Sequence, residues 1–185
     1  MNMTGERFIA APRVAVWAGL NDPEVLKACI PGCESLEKIS DTQMKAVAGI
    51  KLGPVSAKFQ GEVTLSGLDP PNGYRISGEG KGGPAGFAKG GAEVRLLDQD
   101  AGTLLTYVVD AQVGGKIAQV GARLIDATAK TMAEQFFKKF AALVEKPEPV
   151  AETVAAAAMP AEEELNFLAR IWRRIVRLFS GPSKV

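Results

Sequence analysis

One amphipathic stretch, residues 114–144, constrains the fold more than any other feature of this chain. After a double glycine, apolar side chains and one threonine recur every three or four residues, at Ile117, Val120, Leu124, Thr128, Met132, Phe136, Phe140 and Leu143. This spacing places them on one face of a helix, so the stretch predicts a single long amphipathic helix. We interpret it as the helix that fills a curved sheet.

The two halves of this helix differ in side-chain size. Large aromatic rings occupy the second half, whereas the first half has small residues on or near its inward face: Gly121, Ala122, Ala127 and Thr128. A helix that is thin at one end leaves room there, so we expect a cavity under its first half. A fully packed core helix is the alternative interpretation.

The chain before this helix predicts strands, apart from two short helices near its start. Residues 3–9 predict a first strand, with Phe8 facing inward. Pro12 and Pro23 each begin a short helix, because proline suits the first helical turn, and Pro31 with Gly32 ends the second one. From Glu34 onward, apolar and polar side chains alternate over about six segments, as in half-buried antiparallel strands.

The predicted fold class is therefore α+β. A long antiparallel meander twists and curls, so we expect a curved seven-stranded antiparallel sheet around a long C-terminal helix. Two short helices follow strand 1, and the whole arrangement is a helix-grip. We assign residues 1–146 to this domain.

Two consecutive strands carry little inward bulk, since glycine and alanine occupy most inward positions of residues 78–92. Unfilled apolar volume is destabilising by about 24 cal/mol per Å3, so a large void is usually kept for a ligand. We therefore predict an apolar ligand-binding cavity lined by Trp17, Leu52, Phe59, Phe87, Val113, Ile117, Val120 and Leu124.

Several kinds of catalytic or metal site are excluded by composition. The chain has no histidine, which removes histidine triads and most transition-metal sites. Cys29 and Cys33 lack C-x-x-C spacing, so we interpret them as small buried residues. No serine triad or carboxylate cluster stands out either. We therefore expect no enzyme, no metal and no covalent cofactor.

The glycine-rich run at residues 78–91 superficially resembles a phosphate-binding loop. It lacks the G-x-x-x-x-G-K-[ST] pattern and no helix follows it, so it predicts a hairpin instead. Lys81 and Lys89 could still place charge beside a polar ligand head. With a net charge of +1, the chain as a whole gives no indication of nucleic-acid binding.

The last forty residues differ from the rest. Residues 147–160 are rich in proline, alanine and glutamate and predict a linker, while residues 161–185 predict an amphipathic helix. One face of that helix is apolar and the other rich in arginine, as in helices that lie at a membrane surface. The predicted membrane-binding residues are Leu168, Arg170, Ile171, Trp172, Arg173, Arg174, Ile175, Arg177 and Phe179. Binding in a groove of a partner protein and packing on its own domain are the alternatives.

Four segments together resemble one known family: ACIPGCESLEKI (28–39), KLGPVSAKFQGEVTL (51–65), GEGKGGPAGFAKGGAEV (78–94) and the helix after Gly114. In order and spacing they resemble the G subunit of carbon monoxide dehydrogenase (CoxG) and its relatives, a branch of the START-like (SRPBCC) polyketide cyclase and lipid-transport superfamily. The resemblance covers about residues 1–146. It implies a helix-grip fold with an apolar ligand cavity, and it provides no catalytic residues to transfer.

The resemblance also implies a role beside a molybdenum-containing dehydrogenase, either attaching it to the cytoplasmic membrane or passing its electrons to quinone. We therefore expect a non-enzymatic accessory protein that holds an apolar small molecule, a quinone or a lipid. The N-terminus has no signal-peptide pattern, so we expect it to be cytoplasmic and peripheral on the inner face of the membrane, at an anionic lipid surface. A membrane-anchoring adaptor without a physiological ligand is the alternative, and a small cyclase-type or hydrolase-type enzyme is the third possibility.

Overall fold

The computed structural model of the protein describes residues 1–145, which form an α+β domain. Seven strands are present in this part of the chain: β1 (Asn2–Ile9), β2 (Cys33–Ser40), β3 (Gln43–Leu52), β4 (Val55–Asp69), β5 (Gly73–Lys81), β6 (Phe87–Gln99) and β7 (Gly102–Gly114). The helices are α1 (Arg13–Asn21), α2 (Pro23–Cys29) and α3 (Ala122–Val144), with short 3-10 helices at Gly83–Ala85 and Lys116–Val120. The predicted linker and C-terminal helix, residues 147–185, lie outside the described residues.

The seven strands form one antiparallel sheet in the order β1-β7-β6-β5-β4-β3-β2. Strands β2 to β7 form a meander, and β1 pairs with β7, so β1 and β2 lie at opposite edges. Helices α1 and α2 carry the chain from one edge to the other, and α3 packs on the concave face of the curved sheet. The predicted helix-grip fold is confirmed.

The two short helices form where the sequence predicts them. Asp22 caps α2, because its carboxylate accepts hydrogen bonds from the backbone N–H groups of Glu24 and Val25 at 2.8 and 3.4 Å, and Pro23 occupies the first helical position. Arg13 ties the start of α1 to the sheet. Its guanidinium lies 2.9 Å from the Asp98 carboxylate.

The long helix begins later than predicted. The sequence predicts one helix from Gly114 to Val144, but α3 starts at Ala122. Gly115 and Gly121 have φ angles of +83° and +94°, a region that glycine enters readily and other residues avoid. These two glycines turn the chain twice, and the segment between them forms a 3-10 helix instead of the first turns of α3.

A tightly packed main core lies at the C-terminal end of α3. Phe140 is fully buried and its ring stacks on that of Phe136 at 5.7 Å. Gly19 of α1 lets α3 approach closely, since a Cβ atom there would lie 2.9 Å from Val144 and 3.1 Å from Phe140. This cluster holds α1 and α3 together on the sheet.

Strand β1 faces the other way from the prediction. Phe8 is 50% exposed on the outer face, whereas Ile9 is 1% exposed and belongs to the core. Apolar residues at both positions 8 and 9 leave the alternation ambiguous, and pairing of Ile9 with the buried Thr103 sets the inward face. No helix within residues 1–145 is long and apolar enough to cross a membrane.

Candidate functional site

An apolar cavity of about 330 Å3 lies between the concave face of the sheet and the second half of α3. Helix α3 contributes Ala133, Phe136 and Phe137 to its wall. Inward-facing side chains of the sheet supply most of the remainder, and α1, α2 and the residues after α2 close one side. These other lining residues are Met3, Leu20, Leu26, Ile30, Leu36, Met44, Ala46, Val63, Leu65, Tyr74, Ile76, Ala92, Val94, Leu105, Tyr107 and Val109.

The cavity wall, as residues 1–145 form it, carries no charged side chain. Its only polar side-chain groups in that part of the chain are the hydroxyls of Tyr74 and Tyr107. An anion placed there would lose its hydration without gaining a charged partner, which is strongly unfavourable. The cavity therefore suits a neutral, mostly apolar molecule.

Tyr74 is the more deeply buried of the two tyrosines, at 5% exposed. The ring of Trp17 meets its ring edge-on, with centroids 5.4 Å apart and the planes at 73°. Burial raises the pKa of the Tyr74 phenol far above its usual range, because the charged phenolate would lose its hydration. Tyr74 therefore carries its proton at any physiological pH.

Tyr107 lies closer to the edge of the sheet. Its ring stacks on that of Phe137 at 5.2 Å, with 23° between the planes. A side chain at Gly5 of β1 would overlap the Tyr107 hydroxyl, so glycine at this position leaves room for the ring. The stacked rings of Tyr107 and Phe137 thus form the wall of the cavity between β7 and α3.

The predicted position of the cavity was wrong. Three of its eight predicted lining residues, Leu52, Phe59 and Ile117, form a second buried cluster with Ala85. Val113 and Val120 pack against that cluster, so side chains fill the space that the sequence analysis left empty.

The small residues of the glycine-rich run explain this difference. A Cβ atom at Gly82 would lie 2.7 Å from the ring of Phe59, and one at Gly80 would lie 3.9 Å from it. The missing side chains therefore accommodate the Phe59 ring instead of leaving a void. Residues 78–91 form the predicted hairpin, with the 3-10 helix Gly83–Ala85 at its turn.

The remaining three predicted residues also lie away from the cavity wall. Phe87 faces outward and is 39% exposed, and Leu124 is 40% exposed beside an open surface groove between α3 and β3. Trp17 packs on the main core and reaches the cavity only through its contact with Tyr74. The residues predicted for membrane binding, 168–179, lie outside the described part of the chain.

None of the residues that line the cavity in the structure was among the eight predicted from the sequence. The available signal was a set of inward alanines on three different elements, Ala46, Ala92 and Ala133. All three line the cavity in the structure.

The interpretation of the cysteines as small buried residues holds for Cys29, whereas Cys33 is only partly buried. Both thiols are free, and Cys29 is fully buried. Burial raises the pKa of each thiol, which disfavours the reactive thiolate. Within residues 1–145, no group of three or more acidic or cysteine side chains is arranged to hold a metal ion.

The domain matches one protein family and is similar to several solved structures. Residues 5–145 match the family model that describes the G subunit of carbon monoxide dehydrogenase (CoxG). A conserved protein from Geobacillus kaustophilus is 35% identical, with a TM-score of 0.74 over 79% of this chain and 96% of that one. No curated protein matches this chain.

Two more distant structures share the fold. A protein from Thermus thermophilus has a TM-score of 0.61 at 21% identity, over 78% of this chain and 97% of that one. An aromatase/cyclase from a Streptomyces species has a TM-score of 0.56 at 15% identity, over 78% and 93%. These two similarities show that the chain shares the fold of both proteins.

Proposed function

This chain belongs to the CoxG family, named for the G subunit of carbon monoxide dehydrogenase, and from that premise we propose that it is a non-enzymatic carrier of an apolar ligand, a quinone. In this proposal it links a molybdenum-containing carbon monoxide dehydrogenase-type enzyme to the cytoplasmic membrane and its quinone pool. The observation that supports the proposal is the neutral, apolar cavity under the second half of α3.

The size of the cavity fits part of a quinone. At about 330 Å3, it lies at the lower end of the range of small-molecule pockets, about 300–1,000 Å3. The ring and the first isoprene units would fit inside, and a longer isoprenoid chain would extend outside. Burial of roughly 200–300 Å2 of ligand surface would contribute about 5–8 kcal/mol. The entropy lost on association offsets much of this, so binding would be reversible, as a carrier requires.

The chemistry of the wall favours a carrier over an enzyme. Among the described residues, no histidine, carboxylate, lysine or cysteine lines the cavity, so the wall offers no conventional general base or charged nucleophile. The similarity to the aromatase/cyclase from Streptomyces concerns the fold alone, since only 15% of residues are identical.

The connection to the membrane rests on the sequence of the C-terminal segment. Residues 165–185 carry a charge of +5, and four of the basic residues lie on one predicted helical face. Such a helix binds an anionic lipid surface through its apolar face and its arginines. A flotation assay with anionic liposomes tests this: the full chain should float, and a chain truncated at Lys146 should not. Equal flotation of the two proteins would reject the tail as the anchor.

The carrier function is tested by filling the cavity. Ala133→Phe would place a ring in the cavity, whereas Ala142→Phe adds the same ring at an exposed position of the same helix. Native mass spectrometry and lipid extraction of protein purified from its own host should show a bound quinone in the wild type and in Ala142→Phe. Ala133→Phe should carry far less. Wild-type protein without stoichiometric ligand would contradict the carrier function.

An adaptor without a physiological ligand is the second candidate, and a surface feature favours it. Phe8, Leu104 and Leu97 lie directly opposite one another on the outer faces of β1, β7 and β6. Phe8 and Leu97 are 50% and 55% exposed, so they form an apolar row that a partner protein can cover. The adaptor predicts that Leu97→Ser weakens dehydrogenase binding in a pull-down while no quinone is found in the cavity.

A further inference from the structure

We propose that the hydroxyl of Tyr74 anchors the ligand by a hydrogen bond to a carbonyl oxygen, and that this bond places the carbonyl-bearing ring at the α1 side of the cavity. The inference rests on the proposed carrier function and adds to it the residue that binds the ligand and the orientation of the ligand.

The first observation is an unused hydrogen-bonding group. Tyr74 is 5% exposed, and its hydroxyl makes no hydrogen bond to any group within residues 1–145. Buried hydroxyl groups normally have a partner, and an unpaired one is costly. The hydroxyl oxygen is not sealed among the buried atoms, and the residue lines the cavity. A molecule in the cavity can therefore supply the missing partner.

Water is a poor candidate for that partner. An ordered buried water typically makes about three hydrogen bonds. The cavity wall of the described domain offers only two polar side-chain groups, the hydroxyls of Tyr74 and Tyr107, in an otherwise apolar surface. A ligand that brings its own oxygen on an apolar body satisfies Tyr74 and the apolar wall together.

The position of Tyr74 fixes the orientation of the ligand. Its ring is held on one side by Trp17 of α1, and α1 is in turn tied to the sheet by Arg13 and Asp98. The hydroxyl is therefore attached to a rigid part of the domain, so an oxygen bound to it lies on the α1 side. The isoprenoid chain would then extend away from α1.

The same contacts define the class of ligand. The raised pKa keeps the phenol protonated, so it can donate to a neutral carbonyl. A carboxylate lacks the cation it would need, since no lysine or arginine of residues 1–145 lines the wall. A pure hydrocarbon would leave the hydroxyl unpaired. A neutral molecule with a carbonyl oxygen on an apolar ring, such as a quinone, meets both conditions.

The test is a calorimetric titration of the full chain with three probes. These are a naphthoquinone with two isoprene units, the corresponding naphthalene that lacks the oxygens, and palmitate. Tyr74→Phe removes only the hydroxyl and should raise the quinone Kd about 3- to 10-fold, the change expected from loss of one neutral hydrogen bond. The Kd of the naphthalene should stay the same or fall, and palmitate should bind more weakly than the quinone to the wild type.

Tyr107→Phe is the comparison variant, because it removes the other hydroxyl of the wall while its ring keeps its place on Phe137. Since Tyr74 is the more deeply buried of the two, the quinone Kd should rise more in Tyr74→Phe than in Tyr107→Phe. Ala142→Phe, at an exposed position of α3 outside the cavity wall, is the control and should leave the quinone Kd unchanged. Tyr74→Phe should also have a thermal unfolding midpoint equal to or above that of the wild type, because no hydrogen bond within the domain is lost.

Other results would contradict the hydrogen bond, the ligand class or the carrier function. Equal weakening of quinone and naphthalene by Tyr74→Phe would show that ring packing matters and would overturn the hydrogen bond. A selective loss in Tyr107→Phe alone, or an unchanged quinone Kd in Tyr74→Phe, would also overturn it. In those cases, loss of quinone binding in Ala133→Phe would still support the carrier function. Palmitate binding as tight as quinone binding would overturn the ligand class, and a wild type that binds no probe would refute the carrier function itself.

Discussion

Truncation of Phe59 tests whether the second buried cluster is filled by side chains and separate from the cavity. Phe59 is 6% exposed and its ring lies against Gly82 in the second cluster, away from the cavity. Burial of a phenylalanine side chain contributes about 1.5–3 kcal/mol, and the void left by its removal adds a further penalty. Phe59→Ala should therefore lower the free energy of unfolding by about 3–5 kcal/mol. Its effect on the quinone Kd should be small.

The comparison variant is Phe136→Ala, at a partly exposed residue that lines the cavity. Phe136 buries less surface than Phe59, so its truncation should destabilise the domain by less, about 2–3 kcal/mol. Because Phe136 lines the cavity, the same change should alter the quinone Kd. Urea unfolding followed by circular dichroism measures stability, and calorimetric titration measures binding. Phe59→Leu keeps most of the volume and should cost less than about 1.5 kcal/mol, which controls for the position itself.

The reasoning would be refuted if Phe59→Ala cost less than about 1 kcal/mol, well below the usual range for a buried ring. It would also be refuted if Phe59→Ala altered quinone binding as much as Phe136→Ala does. Either result would mean that the second cluster is open to ligand, as the sequence analysis predicted.

Two further predictions concern the main core and the dependence of stability on pH. Gly19→Val should lower the free energy of unfolding by about 1–3 kcal/mol, because the valine side chain would collide with Phe140 and Val144. Urea titration measures this, and an unchanged unfolding midpoint would contradict the close contact of α1 and α3. The pKa values of Tyr74 and Cys29 are raised in the folded state. Their contribution to the free energy of unfolding is therefore fully present below the pKa values of the unfolded chain, and the free energy of unfolding falls as the pH rises above about 9. Urea midpoints at pH 7 and pH 10.5 should show this fall, and Tyr74→Phe should reduce it; an identical fall in the variant would exclude Tyr74 as a cause.

Much of the fold was predictable because strand alternation is a local signal. Val63 and Leu65 alternate with the polar residues Glu62, Thr64 and Ser66, and the structure places both apolar side chains on the cavity wall. The order of the strands follows from the short turns between them, since consecutive strands joined by short turns pair antiparallel. Phe8 shows the limit of this signal: two adjacent apolar residues fit either face of a strand, and only pairing with β7 decides between them.

The position of the cavity depended on contacts between distant segments. Gly80 and Gly82 indicate a lack of bulk, yet the sequence does not show that the ring of Phe59, on the neighbouring strand, occupies that space. The large residues of α3 were likewise expected to fill the space beneath the second half of the helix, but Phe136 and Phe137 line the cavity there. Side-chain size along one element predicts a void only when the residues opposite it are known, and register and curvature determine those residues.

The cavity lies within the main cluster, because Leu20, Met44, Leu65, Val94 and Leu105 belong to that cluster and also line the cavity. The second cluster, around Phe59 and Ile117, shares no residue with the cavity wall. Packing in the second cluster therefore does not depend on occupancy of the cavity. An empty apolar cavity of about 330 Å3 still destabilises the domain, and a bound ligand should add stability that grows with the logarithm of its concentration above Kd. In the proposed carrier the ligand can leave at the dehydrogenase without unfolding the domain, because Phe140 and the second cluster do not line the cavity and stay packed when it is empty.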